Sequence, residues 1–390
     1  MFYPYVSTIK GSSFTRCNQV WERSRIEWRI GDRDNPAQLI ADYLATYGLG
    51  LPTSGEEGRK TTHRNDFGSV CGAVLHLSAA GSASMHGVST GRPSPAVGLP
   101  DVVAVVYAHG APEAPHEPPR SGFRVGGWNP SWSPDEHAAA VSDVRAAIAR
   151  GDVYQVNVVG HSSAPYVGDP LPAMGRLLTL PGARYGGVLS GSGWSIACAS
   201  PEMLVRVSGG IVETRPIKGT RPATAIGRRE LLESAKERAE HIMIVDLERN
   251  DLGHVAAIGT VDVPSLFEVR RWSNLWQAES RITAELRPDV TLAELLRAMC
   301  PGGSVTGAPK LAALAQIAAL EPVGRGPSMG ALGWIDESSL DLGLTIRTVA
   351  ADGERLHLWA GGGIVWDSDP AAEVAEAAAK AAPVRALLTP

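Results

Sequence analysis

Downstream of residue 160 the sequence alternates two kinds of segment, and the spacing of one kind constrains the fold more than any single motif. β-rich runs (SIACAS, MLVRVSG, GIVETRPI, ALGWID, LGLTIRTVA, RLHLWAG) recur between helical runs (RRELLESAKERAEHIMIVDLERND, LAELLRAM, APKLAALAQIAAL, PAAEVAEAAAKAA). Several β-rich runs follow one another closely enough to close as hairpins, whereas parallel pairing needs a long crossover after each strand. The expectation is an α+β fold of layered, largely antiparallel β-sheets with helices packed on the outside.

Upstream, Pro and Gly crowd residues 81–132 around one apolar, strand-like segment, DVVAVVYAH. At that density long helices and central strands are excluded, so the stretch reads as loops and a boundary. Before it, Ala37 to Tyr47 suits a short helix and Val70 to Leu77 a strand. After it, Ser133-Pro134-Asp135-Glu136 is a capping box with proline at the first helical position, opening a helix to about Arg150, and YQVNVVGHS follows as a strand. The organisation expected is an N-terminal segment, 1–130, completing the sheets, and a main region, 131–390.

A chain of 390 residues with 44% hydrophobic and 20% charged residues can bury a sizeable core. Its net charge of -5 provides no field for polyanions, which argues against nucleic acid or an acidic membrane as the main partner. Cys17, Cys71, Cys198 and Cys300 are too few and too scattered for a disulfide framework or zinc cage. The start, MFYPYVSTIKGSSF, lacks the charged-then-apolar pattern of an export signal, and no run of eighteen apolar residues occurs. A soluble, cytoplasmic protein is expected.

Two helical runs carry carboxylates at i, i+3: Glu237 with Glu240, and Glu373 with Glu376. This spacing puts each pair on one helix face, and two facing pairs would form an oxygen-rich site suited to Mg²⁺; either pair alone reads equally as a solvated face. Gly302 and Gly307 have phosphate-loop spacing, but Ala308 stands where that loop needs lysine, so ATP binding is not supported. Glycine-rich turns here and at Gly361-Gly362-Gly363 could cradle a carboxylate or serve only as tight turns. Lys218, in a short strand between apolar residues, reads as an edge-strand gatekeeper or, if its amine is neutralised, as a nucleophile.

The order of GDVYQVN, SPEML, RPIKGTR, AKERAEH, IVDLERNDL, GGSVTGAPK, LTIRT and AGGGIV…DPAAEVAE resembles that of the chorismate-utilising enzymes, over about Ser133 to Leu388. That family includes anthranilate, aminodeoxychorismate, isochorismate and salicylate synthases. The resemblance implies the chorismate-binding fold, with 131–390 as the catalytic region, and chorismate and Mg²⁺ as substrate and cofactor. By motif, Glu240 and Glu376 would hold Mg²⁺, with Glu237 and Glu373 acting directly or through water. Glu202 would be the general acid or base near the C4 hydroxyl. Arg347 would hold the enolpyruvyl carboxylate, Lys380 would lie near the ring carboxylate, and backbone around Thr306, Gly307 and Gly362 would complete the cradle.

Two positions separate branches of the family. Gln155 stands where water-using members carry lysine, which disfavours hydroxylation of the ring. Lys218 stands where anthranilate synthases usually carry alanine, and lysine there marks the aminodeoxychorismate synthases, in which it attacks C2 before ammonia attacks C4. The resemblance thus implies C4 amination, with ammonia from a separate glutamine amidotransferase subunit; anthranilate formation and a non-catalytic chorismate-fold protein are the alternatives. The chain departs from the family pattern at Gln277, normally histidine, and Ser328, normally aromatic.

Overall fold

The computed structural model describes residues 20–52, 67–110, 122–272 and 274–389. Cys17, the start of the chain and the prolines between 111 and 121 lie outside the described residues. Among the described residues every strand pairing is antiparallel, as the hairpin spacing predicts. A ten-stranded sheet runs in the order Val20–Trp28, Val102–His109, Val70–Leu77, Ala331–Ile335, Ser339–Leu344, Met203–Ser208, Ile211–Arg215, Leu275–Glu285, Ile217–Pro222, and Asp262–Trp272 also pairs with Leu275–Glu285. An eight-stranded sheet is built on Gln155–Val167 and Arg355–Ile364, continuing through Thr348–Ala351 and Trp194–Cys198 to Gly187–Gly191.

Helix Pro134–Ala149 starts at Ser133 with both halves of the capping box formed, and packs on helix Pro370–Leu388, which itself lies on strand Arg355–Ile364. Leu44, Leu75 and Ala104 share one buried cluster with Leu296, Leu342 and Trp359. Residues on both sides of position 130 therefore bury the same apolar surface, at ~25 cal/mol per Å² removed from water.

Three local outcomes differ from the sequence reading. DVVAVVYAH is an interior strand, Val102–His109, buried along its whole length between Val20–Trp28 and Val70–Leu77. The prolines that argue against a central strand flank it and none interrupts it. The helical run from Arg228 to Asp251 is two helices, Ala225–Glu233 and Ala235–Gly253, because Ser234 is extended (φ -71°, ψ 103°) and caps the second. The run LGLTIRTVA breaks between Ser339–Leu344 and Thr348–Ala351, where the chain leaves one sheet for the other and Arg347 takes φ 51°.

Candidate active site

Two connections between the sheets run side by side. The turn Ser200-Pro201-Glu202 carries the chain from Trp194–Cys198 to Met203–Ser208, and the break at Arg347 carries it from Ser339–Leu344 to Thr348–Ala351. Their backbones are tied twice: Leu344 N donates to Glu202 O at 3.1 Å, and Ala199 N to Arg347 O at 3.1 Å. Glu202 and Arg347 thus sit at one seam. The Arg347 Nη1 donates to Pro181 O at 3.1 Å, and no carboxylate pairs with it among the described residues. Burial pulls its pKa down, as expected of a cation lacking a counter-charge. Such a group suits a substrate carboxylate.

Lys218 lies in strand Ile217–Pro222 opposite Ala278, immediately before a bulge formed by Gly219 at φ +66°. A bulge locally redirects side chains, and glycine reaches this conformation without the cost other residues meet. Glu202 is buried, and its Oε1 has no hydrogen-bond partner among the described residues. Burial pushes its carboxyl up, with Lys218 first among the groups pulling it back. Lys218 also acts electrostatically on Glu240 and Glu376. Lys310 and Lys380 are each paired, with Asp251 and Glu376 respectively.

The carboxylate pairs come from two helix N-termini. Ser234 Oγ accepts from Glu237 N at 3.3 Å, fixing Glu237 in the first turn of Ala235–Gly253, where Arg221 approaches its Oε1 to 3.4 Å. Glu240 follows one turn on; burial raises it, Lys218 and Lys236 oppose this, and Glu237 and Glu373 add to the rise. In Pro370–Leu388, Glu373 Oε1 accepts from Ser368 Oγ at 2.7 Å, and Glu376 Oε1 meets Lys380 Nζ at 2.7 Å. Burial acts to raise Glu376 too, but Lys380, Lys236 and Lys218 hold it below the ordinary carboxylate value. Lys380 also donates to Gly361 O at 2.9 Å. A side-chain carbon at Gly362 would lie 3.2 Å from Glu373 Oε2 and 3.9 Å from Glu376 Oε1. The bare glycine backbone is therefore the floor under this helix end.

The loop Gly302–Thr306 is clamped by buried Arg325, whose Nη1 donates to Val305 O at 2.6 Å and Nη2 to Asn157 O at 2.8 Å. Thr306 spends its hydroxyl on Gly302 O (2.8 Å), and Gly307 packs its Cα face on the Gln155 carbonyl. Gln155 is 1% exposed, yet both ends of its amide lack a partner among the described residues, and its Nε2 lies against Gly363. A buried amide without partners costs several kcal/mol on the order of 2–7, a debt that a polar ligand relieves. Gln277, opposite Thr220 in the strand behind Lys218, is also buried; its Nε2 reaches Thr220 Oγ1 at 3.4 Å and its Oε1 is unpartnered. Ser328 Oγ donates inward to Thr345 O at 3.1 Å.

Among the described residues no three acidic, histidine or cysteine side chains close around one point tightly enough to hold a metal alone. The donor set is nevertheless all oxygen, and the Glu237 and Glu373 carboxylates both add to the rise of Glu240. That chemistry fits Mg²⁺, which commonly takes one or two protein carboxylates together with water and substrate oxygens. Sequence reasoning missed Ser368 and Arg325. Ser368 was detectable as a hydroxyl in the polar turn before the DPAAEVAE helix; Arg325 had no local signal.

An arginine with no carboxylate partner among the described residues, a lysine among carboxylates, and a glutamate pair above a glycine floor form a candidate site whose chemistry suits a small carboxylate-bearing molecule. The chain belongs to the chorismate binding enzymes: residues 92–386 match that family's model. It is 40% identical to aminodeoxychorismate synthase component 1 of Salmonella typhimurium over 267 residues, covering 66% of this chain and 59% of that protein. It is 40% identical over 272 residues to anthranilate synthase component 1 of Streptomyces coelicolor, covering 67% of this chain and 52% of that one. The chain thus spans less than two thirds of the length of these relatives. The structure of anthranilate synthase component I from Streptococcus pneumoniae superposes with TM-score 0.77 at 25% identity, covering 98% of this chain and 93% of the other. No helix among the described residues is long and apolar enough to cross a membrane.

Proposed function

We propose that this chain is the chorismate-aminating component of an aminodeoxychorismate synthase, forming 4-amino-4-deoxychorismate from chorismate and ammonia for p-aminobenzoate and folate synthesis. The observation carrying the reading is Lys218, set among Glu202, Glu240 and Glu376. In this reading Arg347 and Lys380 take the two carboxylates of the substrate. Mg²⁺ held by the glutamate pairs would neutralise the ring carboxylate. Lys218 gives up a proton, its amine bonds to C2, the ring double bond shifts and the C4–O bond breaks. Glu202, which burial biases toward its protonated form, is the candidate to carry that proton to the departing hydroxyl, so that water leaves. Ammonia then bonds to C4, the double bond returns and the C2–N bond to Lys218 breaks. The naming of the Salmonella typhimurium relative as component 1 supports a second component, which we take to be a glutamine amidotransferase supplying ammonia.

Anthranilate formation is the second reading, favoured by the equal identity to the Streptomyces coelicolor protein. Mass spectrometry of the product from chorismate, Mg²⁺ and ammonium, with and without an added lyase, separates the two. Fluorescent anthranilate as the only product would overturn the first reading, and no chorismate consumption would favour a non-catalytic protein.

A further inference from the structure

Arg184 touches three elements that meet near the site. Its Nε donates to Pro201 O at 3.2 Å, its Nη2 to Glu279 Oε2 at 2.7 Å, and its guanidinium carbon lies 3.6 Å from the Trp272 ring centroid. Pro201 immediately precedes Glu202. Glu279 is 2% exposed and stands opposite Ile217, the register position next to the Lys218–Ala278 pair. Arg215 Nη1 at 3.5 Å holds the other carboxylate oxygen. A buried carboxylate stripped of its partner costs several kcal/mol, so this geometry resists change. The Arg184 charge is also felt at Glu202.

We propose that Arg184 and Glu279 are a positioning pair: bridging Pro201 and the strand that backs Lys218, they set the separation between the Glu202 carboxyl and the Lys218 amine. The inference rests on the function proposed above. Proton hand-over between two groups depends steeply on distance, and a misplacement of ~1 Å can cost ~100-fold in rate. Neither residue of the pair touches Arg347 or Lys380, so substrate capture is left alone.

The test compares Arg184→Lys, Arg184→Gln, Glu279→Gln and the Arg184→Gln/Glu279→Gln double variant in the full chain, with chorismate, Mg²⁺ and ammonium. Arg184→Gln and Glu279→Gln should each lower kcat by about tenfold or more while KM for chorismate moves by less than about twofold. Arg184→Lys, which keeps the charge but cannot span both anchors, should fall between wild type and Arg184→Gln. The double variant should be no slower than the slower single one, because the bridge is broken once. A raised KM with unchanged kcat, or losses that multiply in the double variant, overturns the inference. So does wild-type kcat in Arg184→Lys and Arg184→Gln alike, a pair that keeps the test decisive if Glu279→Gln fails to fold. An active wild type with such variants leaves the proposed function standing, whereas a wild type that consumes no chorismate overturns the function and this inference together.

Discussion

The Gly219 backbone rests on the Glu237 carboxylate: a side-chain carbon at Gly219 would stand 3.0 Å from Glu237 Oε2 and would also collide with Leu231. One glycine therefore links the strand of Lys218 to the helix of the first glutamate pair. With φ at +66°, any substitution is strained as well as crowded. Gly219→Ala should destabilise the chain by about 1–3 kcal/mol, the usual scale of such strain. It should also lower activity beyond what the folded fraction explains, read by thermal melts beside assays well below the melting point. Wild-type stability and turnover would show that the bulge is not needed.

Lys218→Ala should abolish 4-amino-4-deoxychorismate formation and keep chorismate affinity, since the unpaired Arg347 is untouched. Residual amination should shift to direct attack by ammonia at C2. Wild-type protein given chorismate without ammonia should carry an adduct on the peptide from Arg215 to Arg221. Undiminished C4 amination with no adduct on that peptide would reduce Lys218 to a strand residue.

Glu240→Gln and Glu376→Gln should each lower Mg²⁺-dependent turnover on the order of a hundredfold, the scale for loss of one oriented electrostatic group. Glu230, whose side chain is 58% exposed with Arg221 at 3.9 Å, is the control: Glu230→Gln should change little. Turnover measured across a Mg²⁺ titration separates the outcomes, and unchanged curves for both site variants would remove the metal from this position.

His76 is fully buried, its Nδ1 shared with Ala331 O at 3.1 Å, and burial lowers its pKa to about 4. The unfolded chain takes up this proton near pH 6.5 and the folded chain does not. The stabilising contribution is thus complete above pH 6.5 and is lost as pH falls toward 4. Between pH 7 and 5 the loss amounts to about 2 kcal/mol. His76→Leu should therefore lose less stability over that interval than wild type in urea unfolding, and parallel losses would refute the assignment.

Much of the candidate site was legible because its residues lie in short motifs, SPE, RPIKGT and the two i, i+3 glutamate pairs, and Lys218 of the second acts electrostatically on Glu202, Glu240 and Glu376. What the letters hide is where chain direction changes. Ser234 reads as one more polar residue in a helix until the cap geometry splits it, and LTIRT reads as continuous strand until Arg347 turns between sheets. Strand Val20–Trp28 was missed altogether. Its Glu22, Arg23, Arg25 and Glu27 obscure any apolar run, as charges do on edge strands that must not pair further. Gln277 was named as a departure from histidine, but its burial beneath Thr220 follows only from register.

Strand Val70–Leu77 closes one side of Ala331–Ile335, and Val102–His109 and Val20–Trp28 close the next two edges in turn. A polypeptide cut at residue 131 would keep every candidate catalytic and ligand-holding side chain and still be an incomplete object. Its five buried residues from Ala331 to Ile335 would present raw backbone and an apolar face to any neighbouring chain. Such a fragment is a template for precipitation rather than a minimal enzyme. A separately supplied polypeptide carrying strands Val20–Trp28, Val70–Leu77 and Val102–His109 is its natural complement, the missing edge delivered in trans.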